Sequence, residues 1–170
     1  MPSRSKRITT CALLSCAGLI LGYLESFIVI PVHIPGIRIG LANTVSLIAL
    51  YLTGPVSCAI VAFLRVTLSA FLFGSPVSFA YSLAGASVSV VGMYVMRKLG
   101  FSIYSVSVTG AILHNTAQIG VAWFFVGSTY VFFYLPALWT AGIFTGLVIG
   151  FISKILVSRL AGIVYAPKAG

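Results

Sequence analysis

The sequence predicts an all-α integral membrane protein of six transmembrane helices, with both termini cytoplasmic, and three observations predict it. Of 170 residues, 60% are apolar and only 6% charged, so no stretch has the polar face that a water-soluble domain requires. Glycines and prolines cut the apolar sequence into runs near the ~20 residues that a helix needs to cross a bilayer core of ~30 Å. The cations stand at the ends of those runs, mostly on one side of the membrane by parity.

The runs are 8–30, 39–53, 55–73, 77–96, 101–126 and 131–158, separated by segments short enough to join antiparallel neighbours. They fill the chain, so residues 1–170 read as a single membrane domain. The first opens after a basic start, and Leu13-Leu14-Ser15-Cys16 loosely resembles a lipoprotein cleavage box. The apolar stretch before Cys16 is short and continues past it to Tyr23, so an uncleaved first span is expected. The second run is short for a full crossing.

A five-span division would fuse 39–64 and 66–96 into two helices. Charge decides against it. With six spans, Arg4, Lys6, Arg7, Arg97, Lys98, Lys154, Arg159 and Lys168 are cytoplasmic, Arg38 is outside and Arg65 lies within the third span. With five, Arg97, Lys98 and the C-terminal cations would be outside. The small-residue spacing Gly18-Leu19-Ile20-Leu21-Gly22 lets another helix approach the first span, either inside the bundle or from a partner. Cys11, Cys16 and Cys58 lack metal-site spacing and read as packing residues.

Ionisable groups within spans cost ~2.5–3.5 kcal/mol each on insertion scales, so they pair or line cavities. Glu25, late in the first span, and Arg65, past the middle of the third, are within partial reach of each other. Asn43 begins the second span. His114 and Gln118 lie four apart on the fifth, with Asn115 beside them, giving a polar strip. All belong to the outer half. Arg38, His33 and the 31–36 loop would overhang the cluster, with Tyr81, Trp123 and Trp139 as apolar walls; Tyr130 and Tyr134 read as interface anchors. The polar residues fit two readings, helix–helix glue with a structural Glu25–Arg65 pair, or a binding cavity. As a cavity, two arginines against one acid favour a ligand with an anionic or hydrogen-bonding head.

Several chemistries are excluded. The one acidic residue is Glu25, whereas prenyl-diphosphate transfer requires acid clusters that hold magnesium. There is no GxxxxGK[ST] loop for ATP and no GxSxG elbow. The scattered cations form no nucleic-acid patch. No catalytic residue, metal site or cofactor is expected.

The segments Pro35-Gly36-Ile37-Arg38-Ile39-Gly40-Leu41-Ala42-Asn43, the run from Gly74-Ser75-Pro76 to Gly85, and His114-Asn115-Thr116-Ala117-Gln118 resemble the Gx transporter family, also named heptaprenyl diphosphate synthase component I. That family is similar in size and span count to the substrate-binding S components of energy-coupling factor transporters. The resemblance implies an S-component-like six-helix bundle in the bacterial cytoplasmic membrane that takes up a small molecule with a transmembrane scaffold and two ATPase subunits. The candidate binding residues for such a molecule are Glu25, Arg38, Asn43, Arg65, Tyr81, His114, Asn115 and Gln118, from the polar cluster above. The resemblance also implies a docking face for the scaffold on the first span, carried by Ala12, Cys16, Ala17, Gly18 and Gly22. The older name leaves a second expectation open, a non-catalytic membrane partner of a prenyl diphosphate synthase.

Overall fold

A computed structural model describes residues 4–27 and 42–165. They form α1 (Arg4–Ser26), α2 (Asn43–Thr53), α3 (Pro55–Phe73), α4 (Pro76–Lys98), α5 (Ile103–Val126) and α6 (Leu135–Tyr165), the last entered through a 3-10 turn at Thr129–Tyr134. No strand occurs among the described residues.

The helix boundaries have local causes. Gly54, at φ 95°, lets the chain leave α2 and enter α3 with no further linker, and Pro55 supplies a preset first turn. The Ser75 hydroxyl accepts from the Ser78 N–H at 3.2 Å ahead of Pro76, and Ser102 accepts from the Ser105 N–H at 3.3 Å. Gly127, left-handed at φ 67°, ends α5. Breaks at Gly54 and at Gly74-Ser75 rule out the five-helix division, which needed unbroken helices through both.

Four segments are long and apolar enough to cross a membrane: Arg4–Glu25, Pro55–Phe73, Pro76–Lys98 and Thr129–Tyr165. The chain is therefore read as an all-helical multi-pass membrane protein. The other two of the six helices, α2 and α5, are not among these four. With 24 residues α5 has the length, and His114, Asn115 and Gln118 lower its hydropathy. Expected over 39–53, α2 has only 11 residues among those described, about 16 Å at ~1.5 Å per residue. That is roughly half a bilayer core. Its length is explained by its surroundings: α1, α3 and α6 enclose it, and nine of its residues, Asn43–Leu50 and Leu52, are buried.

Close approach holds the remaining helices together. Gly142, Gly146 and Gly150 form a seam on α6 against α5, where a Cβ at Gly146 would stand 2.7 Å from the Val108 Cα. Leu47, Leu50, Val61, Met93 and Val106 fill the core around α2.

Charge is segregated along the bundle. An Arg7 Nη donates to the Ser57 hydroxyl at 3.3 Å, Arg97 donates to the Leu50 carbonyl, and the Tyr165 hydroxyl donates to the Leu52 carbonyl at 2.6 Å. The starts of α1 and α3 and the ends of α2, α4 and α6 therefore share one end. Arg4, Lys6, Arg7, Arg97, Lys98, Lys154 and Arg159 all lie toward it, whereas Lys168 lies outside the described residues.

Candidate functional site

The short α2 sets the geometry of the polar interior. It rises about 16 Å from the cation-bearing end, and Arg65 stands ten residues into α3, about 15 Å from the same end. Asn43, the first residue of α2, thereby comes level with Arg65. The Arg65 Nη2 donates to the Asn43 Oδ1 at 3.0 Å, with both side chains buried. Gly18 makes room for the arginine stem, since a Cβ there would lie 2.8 Å from the Arg65 Cδ. Glu25 is buried at 4% exposure, and its Oε2 accepts from the Ala42 N–H at 3.5 Å. The only acid and a buried arginine thus converge on consecutive residues at the start of α2. The partial positive charge of that helix terminus favours the Glu25 carboxylate.

A second group lies between α4 and α5. The His114 ring lies across Gly85, where a Cβ would stand 2.7 Å from the imidazole Cε1. Gln118, one turn further along the same face, is fully buried, and neither of its amide atoms has a hydrogen-bond partner among the described residues. Tyr81 is buried against Ile119, Ala122 and Leu138 and stacks on Phe125 with centroids 6.3 Å apart. Asn43 and Ala111, one turn before His114, line one small internal void with Ser89 and Ser107.

Several expectations change. The polar strip on α5 divides, because Asn115 turns to α6 and its Nδ2 donates to the Leu138 carbonyl at 2.8 Å, while His114 and Gln118 face α4. Trp123 and Trp139 are not cavity walls: they are 48% and 43% exposed, and Trp139 donates to Thr116. The small residues of α1 also divide. Gly18 and Gly22 are buried, Gly18 against Val45 and Arg65, whereas Ala12, Cys16 and Ala17 are exposed. Arg38, His33 and the 31–36 loop lie outside the described residues.

Sequence reasoning missed Ser46 and Ser89, both fully buried, whose hydroxyls have no partner among the described residues. A lone serine in an apolar run carries no signal that separates it from a packing residue. The Gly142, Gly146, Gly150 seam was also missed, though its four-residue spacing was a usable signal. Among the described residues no three His, Cys, Asp or Glu side chains come together as a metal site would require.

A family model described as heptaprenyl diphosphate synthase component I matches residues 14–156. The chain belongs to that family. The match runs from Leu14 in α1 to Leu156 in α6 and so includes both polar groups. No curated protein and no solved structure gives a significant match. The heptaprenyl diphosphate synthase component I family is also the one that the Pro35–Asn43, Gly74–Gly85 and His114–Gln118 segments resemble.

Proposed function

We propose that this chain is the substrate-binding membrane subunit of an uptake system in a bacterial cytoplasmic membrane, capturing a small molecule from outside and working with a transmembrane scaffold and ATPase subunits. The observation that carries the reading is the convergence of Glu25, Asn43 and Arg65 at the start of a half-length helix buried at mid-depth. A helix that ends inside the membrane and presents its N-terminus there suits a binding site, because irregular backbone at that depth requires a polar cavity or protein around it. The buried Gln118 amide supports the same reading, since an unpaired buried polar group costs about 1–3 kcal/mol that a ligand could offset. Glu25, Asn43, Arg65, Tyr81, His114 and Gln118 are the proposed contacts, and Arg38 and Asn115 remain further candidates. The donors of Arg65 and Gln118 favour a ligand with an anionic or hydrogen-bonding head. The cation-bearing end faces the cytoplasm, and the exposed Cys16 and Ala17 face the scaffold.

A second reading rests on the family description, which speaks of a component of a prenyl diphosphate synthase. In that case the chain is a non-catalytic membrane partner of a soluble synthase, since one glutamate supplies no magnesium-binding cluster. Affinity purification from the native membrane separates the two. A membrane scaffold with paired ATPases is expected, and a prenyl synthase recovered in their place contradicts the uptake reading.

A further inference from the structure

We propose that the groove between α1 and α3 at the cation-bearing end is a binding site for an anionic glycerophospholipid. Its headgroup sits on Arg4 and Arg7, and an acyl chain runs along Ile8, Ile60 and Leu64. The groove encloses about 720 Å³ between these residues, with Ser57 at its floor. Its walls are apolar and outward-facing, with Ile8 62%, Ile60 47% and Leu64 39% exposed, so it is continuous with the lipid around the bundle. Arg7 is held at the rim by its hydrogen bond to Ser57.

Charge identifies the occupant. The only carboxylate side chain is Glu25, which is buried 18 residues beyond Arg7 on α1, about 27 Å along the helix. It cannot neutralise the rim. Two other cations at this end are engaged with the protein, Arg97 with the Leu50 carbonyl and the Tyr51 ring, Lys154 with the Tyr104 ring at 5.3 Å. Arg4 and Arg7 instead border an apolar groove. A soluble anion would satisfy the guanidiniums and leave the walls bare; a zwitterionic lipid would cover the walls but bring no net negative charge to the rim. An anionic lipid meets both, and basic pockets between helices on the cytoplasmic side recognise such headgroups.

The test is titration of the purified full-length protein with phosphatidylglycerol, or with phosphatidylcholine of the same chains, followed by native mass spectrometry. Phosphatidylglycerol is expected to bind at least about tenfold more tightly. The double variant Arg4→Gln, Arg7→Gln should abolish that preference. Ile60→Trp, which fills the groove with both charges kept, should weaken binding, and Lys98→Gln at the same end should not. Equal binding of the two lipids overturns the proposal. So does an equal loss in Lys98→Gln, or displacement of the lipid by inorganic phosphate alone. A photo-crosslinker at Ile60 that captures a partner protein's helix instead of lipid in native membranes would make the groove a protein interface.

Discussion

Arg65 donates to Asn43 at 3.0 Å across the interface of α3 and α2, and neither side chain is more than 8% exposed. Because Asn43 is the first residue of α2, this bond fixes the start of a half-length helix at the depth of a buried charge. Arg65→Ala leaves the Asn43 carbonyl unpaired and removes the largest donor from the proposed site. Ligand retained through purification should fall at least about tenfold, the equivalent of a lost charged hydrogen bond. Arg65→Lys should restore part of it. Retention unchanged in a folded Arg65→Ala protein would remove the residue from the site.

Gly85 is predicted to act through His114. A methyl group there meets the imidazole at 2.7 Å and must displace the ring. Gly85→Ala should weaken ligand binding with little change in melting temperature, whereas Gly120→Ala, with open space around it, should alter neither. Thermal unfolding in detergent together with ligand titration checks both.

The α5–α6 seam should be intolerant of side chains. Gly146→Val places atoms against the Val108 backbone, and overpacking of this kind costs about 1–3 kcal/mol. A lower melting temperature in detergent is the expected readout.

The α2 C-terminus should be sensitive to its distant anchor. Tyr165→Phe removes the hydrogen bond to the Leu52 carbonyl and should cost about 0.5–1.5 kcal/mol. Faster amide exchange confined to the last turn of α2 would locate the effect.

Much of the fold was legible where breaks are chemical. Gly54-Pro55 and Gly74-Ser75-Pro76 placed α3 at its observed bounds, because glycine geometry and proline's fixed φ act locally. The shortness of α2 was legible but its enclosure was not, since an apolar run of 39–53 reads alike whether it faces lipid or lies among other helices. The same blindness affected the tryptophans: a large aromatic at a span end suits a cavity or a lipid-facing surface equally. Asn115 was misdirected for a simpler reason. Adjacent helical residues point about 100° apart, so Asn115 reaches α6 while His114 lies against Gly85 of α4. The convergence of Glu25 and Arg65 was partly legible from depth alone, but their meeting at Ala42 and Asn43 depends on the shortness of α2.

The central claim is that the buried polar interior binds a small molecule, and Gln118 offers the most direct test because it is fully buried and neither of its amide atoms has a partner among the described residues. Native mass spectrometry of the protein gently purified from its own membrane, as wild type and as Gln118→Leu, reads that claim. A small molecule retained by the wild type and lost from a folded Gln118→Leu protein is predicted. No small molecule on the wild type, or one held equally by the variant, would contradict the account.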